Sequence, residues 1–311
     1  MKVHHDLSSL PTFRNPVITI GTFDGVHYGH RKIIAQLITE AKKVNGESVV
    51  ISFEPHPRLV VNPQDNTLRI LNTLTEKINI LSELGIDHFV VAPFTKEFMN
   101  EPAEHYIENF LIHYFHPHTI IIGYDHQYGK NREGNLTLLE KLQHKFNYHL
   151  IEIKKQLLYE INVSSTIIRN SLQDGNLQKA NELLQQNYSL TGTVIHGDKR
   201  GRTIGYPTAN IALYNKYKLI PGNGVYAIKA IFQGSVYSGM MNVGTRPTIE
   251  STATVSLEAH LFDFNKMIYD ENITIELIEK MRNELKFDSF DALVAAIKND
   301  EVNARTILAK L

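Results

Sequence analysis

Two hydrophobic periods divide the chain. Through the first half, short β-branched runs at residues 17–20, 48–53, 88–92, 119–122 and 148–153 alternate with longer amphipathic stretches at 31–43, 77–84, 103–114 and 136–145. Runs such as Val-Ile-Thr-Ile are apolar at nearly every position, as expected of strands in a parallel sheet covered by helices on both faces. Further helices are predicted to open at 164–169 and to run over 177–185. From residue 188 the period shortens to two. Residues 188–195, 225–232, 235–243, 254–261 and 273–278 read as antiparallel strands separated by Gly, Asn and Asp turns such as Gln233-Gly234. A small closed barrel is the natural way to remove their exposed edges. Residues 290–311 have helical spacing and are expected to pack on that barrel. The expected fold class is α/β followed by β, with domains 1–185 and 186–311 and a tight boundary near 183–188.

Composition narrows the function classes. With 32 Lys plus Arg against 33 Asp plus Glu, the net charge of −1 lacks the field of a general nucleic-acid binder, so an anionic ligand must be held by local geometry. The chain has no Cys, which removes disulfides, thiolate metal sites and cysteine nucleophiles and fits a cytoplasmic setting. No stretch of about 18 apolar residues and no signal-type start is present, so a membrane partner is not expected. A homo-oligomer is left open. His4-His5 and His116-Pro117-His118 show no partners at metal-ligand spacing and are assigned to the surface.

The first chemical constellation is Gly21-Thr-Phe-Asp-Gly-Val-His-Tyr-Gly-His30, between the first main strand and the first long helix. Strand-to-helix turns at the carboxyl edge of open α/β sheets bind ligands, and free N–H groups at a helix start attract phosphate. Gly21, Gly25 and Gly29 permit a sharp turn and close approach, while His27 and His30 share a helix face and suit hydrogen-bond donation to phosphate. Neither the Walker nor the dinucleotide-binding glycine pattern is present. The stretch resembles the H-x-G-H signature of nucleotidylyltransferases and, with Phe23-Asp24-Gly25, their FAD synthetase branch. That resemblance implies a Rossmann-like sheet in which the phosphate of FMN attacks the α-phosphorus of ATP and releases pyrophosphate. Phe53-Glu-Pro-His-Pro57 is similar to the family's F-x-P-H-P, although its residues alone read equally as a rigid turn. Gly123-Tyr-Asp-His-Gln-Tyr-Gly129 resembles G-x-D-F-x-F-G, with Asp125 kept and His126 and Tyr128 in place of two phenylalanines. Asp125 suits a ribose hydroxyl, and equally a turn. Val163-Ser-Ser-Thr-Ile-Ile-Arg169 resembles I-S-S-T-x-I-R. Its Ser164, Ser165 and Thr166 suit either an N-cap or phosphate, and Arg169 suits a triphosphate clamp.

The second constellation, residues 192–211, carries Gly197, Gly201 and Gly205 around a basic cluster with Lys199 and Arg202, then Pro207-Thr208-Ala209-Asn210. Glycine-rich loops cradle phosphate through backbone N–H groups. Thr208 and Asn210, two apart on an extended segment, project to one side, where both can offer oxygen to one Mg²⁺ carried with ATP. The pattern resembles the riboflavin kinase signature G-x-V-x-x-G-x-x-x-G-R-x-x-G-x-P-T-A-N at every fixed position. By that resemblance Glu258 is the base that takes the proton of the riboflavin 5′-hydroxyl, while Asn242 and Arg246 in Asn242-Val-Gly-Thr-Arg-Pro-Thr248, and Arg282 in Met281-Arg-Asn-Glu-Leu-Lys-Phe287, contact flavin. A Glu on a barrel strand is ordinarily solvent-facing, and the 281–287 segment reads equally as a charged helical turn. The combined expectation is a two-step route from riboflavin through FMN to FAD. Two other readings compete: a chain in which only the kinase acts on flavin while the first domain serves another acceptor, and a flavin-binding module without chemistry.

Overall fold

The computed structural model describes every residue except 66, 124–125, 154–162, 198–200, 202–203 and 247–253, together with all side chains but those and Arg246 and Thr254. The chain packs as two compact units, Met1–Ser165 and Thr166–Leu311.

The first unit is built on strands β1 (Lys2–His4), β2 (Val17–Ile20), β3 (Ser48–Glu54), β4 (His88–Pro93), β5 (Thr119–Gly123) and β6 (His149–Ile153). They form one sheet in the order β1-β4-β3-β2-β5-β6, with every neighbouring pair parallel. Side-chain alternation sorts the apolar strands between two cores. Ile18, Ile20, Val49, Ile51 and Ile120 face α5, the helical run at residues 103–115, and α6 (Leu136–Phe146), whereas Val17, Val50, Phe89 and Ile121 face α1 (Tyr28–Lys43) and α3 (Leu74–Glu83). Each large aliphatic chain buried this way contributes roughly 1.5–3 kcal/mol. Short helices α2 (Pro57–Val61) and α4 (Lys96–Met99) follow β3 and β4. The chain leaves β2 toward β3 on one side while β5 lies on the other, so the carboxyl ends of β2 and β5 form the topological switch point of the sheet.

The second unit opens with α7 (Ser165–Gln173), which straddles the division, and α8 (Leu177–Leu184). Strands β7 (Tyr188–Ile195), β8 (Ala209–Leu213), β9 (Gly224–Phe232), β10 (Ser235–Arg246), β11 (Thr254–Leu261) and β12 (Asn272–Arg282) close into an antiparallel barrel in the order β10-β11-β8-β7-β12-β9. The terminal helix α9 (Phe290–Leu308) lays Ala304 and Leu308 on Ala227, Met240 and Phe262 of the barrel wall.

Two strands lie outside the local pattern. β8 is only five residues long, and β1 is a three-residue edge strand. The surface assignment of His4 is corrected by β1: His4 Nε2 lies 3.0 Å from Nδ1 of the buried His88, whose Nε2 lies 3.5 Å from Glu47 Oε1. That partner is 84 residues away and enters by parallel pairing, which local spacing cannot register. His5 and His116 are exposed, and His118 is partly buried against the Thr119 hydroxyl at 2.8 Å.

Candidate active site

Each unit carries one constellation. In the first, the loop from Gly21 to His27 leaves the switch-point end of β2 and enters α1 with unusual backbone. Phe23, Gly25 and Val26 take φ of 46°, 89° and 39°. For Gly25 this is easy, but for Phe23 and the β-branched Val26 it is strained by about 1–3 kcal/mol each, a cost that persists only where neighbours over-determine the conformation. The neighbours are identifiable. Phe23 and Val26 are buried in the core beside α1, the Val26 N–H donates to Phe23 O at 3.2 Å, and Arg31 Nε donates to Val26 O at 3.2 Å. Asp24 is buried, with Oδ1 accepting the N–H groups of Leu71 at 2.8 Å and Asn72 at 3.2 Å. The carboxylate thereby ties the loop to the start of α3. A Cβ on Gly29 would stand 3.3 Å from both the His27 ring and Val163, and one on Gly21 would stand 3.3 Å from the Phe23 ring.

His27 is the N-cap residue of α1 without capping it through its side chain, and the first intrahelical bond runs from Arg31 N to His27 O at 2.9 Å. The N–H groups of the first turn therefore point out of the helix as donors. The two imidazoles stack with centroids 3.7 Å apart at 17°, and the Phe23 ring meets His30 edge-on at 5.2 Å. Burial above all, then His27 and Lys77, hold the His30 pKa well below the usual imidazole value. His30 is neutral at neutral pH and offers one N–H, while its Nδ1 is enclosed without a hydrogen-bond partner among the described residues. Two imidazolium cations at this separation would repel, so the two rings do not carry charge together.

Ser165 brings the start of α7 to this loop, its hydroxyl donating to Asp24 O at 2.9 Å. Ser164 precedes the helix, Thr166 is exposed on its first turn, and Arg169 follows one turn later. The F-x-P-H-P segment closes β3, with a cis Glu54–Pro55 bond and His56 Nδ1 capping Arg58 N at 3.2 Å. Asp125 lies outside the described residues. Tyr128 is buried, stacks on Tyr106 at 4.9 Å and donates from its hydroxyl to Asn135 O at 3.1 Å, while His126 stays partly exposed beside it. A tyrosine here thus retains the packing of an aromatic ring and satisfies its extra oxygen internally.

In the second unit, strand register assembles the site. Asn210 on β8 faces Glu258 on β11, Glu258 faces Asn242 on β10, Asn242 faces Val225 on β9, and Val225 faces Arg282 on β12. One row of directly opposed positions therefore crosses five strands and joins residues 72 positions apart. Directly opposed side chains lie about 4.5–5.5 Å apart at Cβ. Asn242 and Glu258 share the outer face of the wall with Met240 and Ala227, on which α9 packs, while Met241, Val243, Leu257 and Ala259 point into the barrel. Glu258 is half-buried there, which answers the expectation of a solvent-facing strand carboxylate.

The glycine loop presses against this row. A Cβ on Gly197 would lie 2.1 Å from Asn210 Nδ2, and one on Gly201 would lie 2.2 Å from the Tyr206 carbonyl and 3.6 Å from Thr208 Cγ2. Gly205 has φ 81°. Lys199 and Arg202 lie outside the described residues, as does the side chain of Arg246 at the end of β10. Pro207 and Thr208 open onto a cavity of about 300 Å³ walled by Val194, Leu261, Phe264 and Ile268 with Lys266 and Tyr269. The Pro207 carbonyl contacts His260 Nδ1 at 2.8 Å. Arg282 is engaged by Asp300 of α9, through Nε at 2.9 Å and Nη2 at 2.7 Å, and by Asn283 O at 3.0 Å. Its guanidinium is a clamp between barrel and terminal helix.

Several partners of these residues had no local signal: Lys77 and Ser52 under the first loop, Asp300 behind Arg282, and the 264–269 wall. Only the start of α3 was signposted, by Thr73 and Glu76, which form a reciprocal capping box.

The comparisons with known proteins agree with this division. The family model described as FAD synthetase matches residues 10–167, and that described as riboflavin kinase matches residues 184–308. Among curated relatives, proteins named bifunctional riboflavin kinase/FMN adenylyltransferase are 36% identical in Listeria monocytogenes, covering 99% of this chain and 98% of that one, and 37% identical in Bacillus subtilis, covering 93% and 91%. The Escherichia coli K12 protein of the same name is 36% identical, covering 97% and 95%. A solved structure described as a macrolide-efflux protein from Streptococcus pneumoniae superimposes with TM-score 0.85 at 29% identity, covering 97% of this chain and 98% of its own. Among the described residues no helix is long and apolar enough to cross a membrane.

Proposed function

The chain belongs to the bifunctional riboflavin kinase/FMN adenylyltransferase family, and on that premise we infer that it converts riboflavin to FAD in two ATP-dependent steps at two separate sites. In the first step the riboflavin 5′-hydroxyl attacks the γ-phosphorus of ATP, Glu258 takes the hydroxyl proton, and ADP leaves. Glu258 is suited to this by its place in the row between Asn210 and Asn242, and general-base assistance of this kind is worth about 10²–10⁴-fold. Asn242, Arg246 and Arg282 are assigned to flavin. Gly197, Lys199, Gly201, Arg202, Gly205 and Pro207 are assigned to the nucleotide, with the apolar cavity beyond Pro207 taking the adenine.

Thr208 and Asn210 present hard oxygen donors of the kind Mg²⁺ prefers, and the absence of a Cβ at Gly197 lets the glycine loop pack its backbone directly against the Asn210 amide. The ion would neutralise phosphate charge when bound with ATP. The protein's own part is to hold Asn210 and Glu258 opposite each other so that hydroxyl, base and γ-phosphate meet.

In the second step the FMN phosphate attacks the α-phosphorus of ATP and pyrophosphate leaves. The first-turn N–H groups of α1 and the stacked His27 and His30 donate to the phosphates as charge develops. Gly21, Phe23, Asp24, Gly25 and Gly29 shape that loop, and Asp125, Ser164, Ser165, Thr166 and Arg169 are assigned to the nucleotide. The adenylyltransferase is assigned to residues 1–185 and the kinase to 186–311. The reading includes a cytoplasmic setting and no nucleic-acid partner.

The observation that carries the kinase assignment is the five-strand row, since it unites Asn210, Glu258, Asn242 and Arg282, chosen from four separate stretches of the sequence. Riboflavin, ATP and Mg²⁺ given to the wild type, to His30→Ala and to Thr208→Ala should yield FAD, FMN only, and unreacted riboflavin. FMN left untouched by the wild type would favour the kinase-only reading.

A further inference from the structure

Beneath the loop between β2 and α1 lies a cation that neither step above uses. Lys77, in the first turn of α3, is only 6% exposed. A buried ammonium persists only where hydrogen bonds and nearby opposite charge compensate its lost hydration. Its Nζ donates to Thr22 O at 2.6 Å and to Ser52 Oγ at 3.3 Å, and the Ser52 hydroxyl donates to the same Thr22 carbonyl at 3.3 Å. Two residues further along the loop, the Asp24 carboxylate is taken by the N–H groups of Leu71 and Asn72. Both anchors therefore come from residues 71–77, a stretch whose helix start is fixed by the Thr73–Glu76 capping box. Phe23 stands between the anchors in its left-handed conformation, and Gly25 and Val26 follow in theirs.

We propose that Lys77 is a positioning residue of the adenylyl-transfer site, which holds the Thr22 carbonyl from below so that the strained loop presents His27 and His30 to the transferred phosphate. This inference rests on the assignment of adenylyl transfer to that loop. The cation also acts on the histidines directly. After burial and His27, Lys77 is the remaining cause that keeps the His30 pKa low. Burial lowers the pKa of Lys77 itself, while Asp24 in the loop and Glu54 on β3 favour its charged form. The charged and titratable groups around the pair are thus His27 on α1, Asp24 on the loop and Glu54 on β3.

The test uses the full chain, with FAD formation from supplied FMN followed across pH and riboflavin phosphorylation by the same preparations as an internal control. Lys77→Met should lower kcat for FAD formation about 10²-fold, the usual cost of misplacing a catalytic group by about 1 Å. The KM for ATP should move by less than about threefold, because an interaction expressed in the transition state is lost from kcat. The acid limb of the profile should shift to higher pH, since His30 takes a proton more readily once the cation is gone. Lys77→Gln, a donor without charge, should recover at least about tenfold of the lost kcat, close to one hydrogen bond's worth, and keep the shifted limb. Should Lys77→Met fail to fold, Lys77→Gln decides through the position of that limb. An acid limb that stays in place, or kcat per folded molecule within about threefold of wild type in Lys77→Met, overturns the proposal. The site assignment itself fails separately, if His30→Ala retains full FAD formation.

Discussion

At the loop between β2 and α1 the chemical residues fall within ten consecutive positions, from Gly21 to His30, whereas on the barrel they are gathered from four strands onto one row that crosses five. The first arrangement is precise because its backbone is strained and then over-determined by Asp24, Arg31 and Lys77. The second is precise because antiparallel register leaves each side chain no freedom to slip, a one-residue shift turning it to the other face. A loop site is therefore vulnerable to what lies under it. A register site is vulnerable at the row itself and at whatever presses on it.

The contrast is sharpest at Glu258. Glu258→Gln keeps shape and removes the base, so riboflavin phosphorylation should fall by about 10³-fold, in the range of general-base effects. Adenylylation of supplied FMN should be unaffected, which a coupled assay for FMN and FAD reads in one preparation. Loss of both activities together would erase the distinction between the two sites.

Gly197→Ala follows with an effect of about 10²-fold on phosphorylation alone, the size expected when a positioned group moves. The added methyl would sit 2.1 Å from Asn210 Nδ2, so Asn210 must shift along the row that also carries Glu258. Asn210 is unchanged chemically, and the loss would therefore report geometry. Normal phosphorylation by Gly197→Ala would show that the loop does not set the position of Asn210.

Stability comes next, at the clamp behind the row. Arg282 and Asp300 form a bidentate pair with side chains 24% and 5% exposed, so Asp300→Asn leaves a mostly buried guanidinium half-compensated. The cost should be about 2–3 kcal/mol, somewhat below that of breaking a fully buried pair. For a unit of this size that lowers the melting temperature by roughly 5–10 °C. Arg282→Lys then tests the flavin contact. A raised KM for riboflavin with little change in melting would place the guanidinium on the ligand, and a melting loss with unchanged KM would leave it a structural clamp.

The same contrast explains what the sequence made legible. Alternating runs and amphipathic stretches located the longer helices and every described strand but β1 and β8, and the change of period at residue 188 marked the start of the barrel. The loop constellation was readable because its residues are contiguous. The row was readable only through its separate motifs, because no local spacing states that Asn210 opposes Glu258. β1 went unread because three residues carry no period, and His4 with it because its partner joins by long-range pairing. Lys77 went unread for a different reason. At helical spacing its position belongs to the buried face of α3, where a lysine breaks the apolar pattern, and its compensation by Thr22, Ser52, Asp24 and Glu54 exists only after folding.

The smallest expected effect is a pH dependence of stability that belongs to the loop. The folded-state pKa of His30 is depressed by burial, His27 and Lys77, while an unfolded chain returns it to about 6.5. Between the depressed value and 6.5 the unfolded state binds more protons, so stability rises with pH in that window and levels off above it. Lowering the pH through 6.5 should therefore weaken the fold, with a slope no steeper than about 1.4 kcal/mol per pH unit for one proton. His4, also depressed by burial, contributes in the same sense, and the wild-type curve alone does not separate them. Subtracting the curve of His30→Gln does. Denaturant unfolding of the two proteins from pH 7.5 down to pH 5 should show the wild type losing stability relative to the variant as the solution becomes more acid. Parallel curves would mean that His30 titrates normally in the folded loop, and that the stacked pair is open to water rather than held against the cation below it.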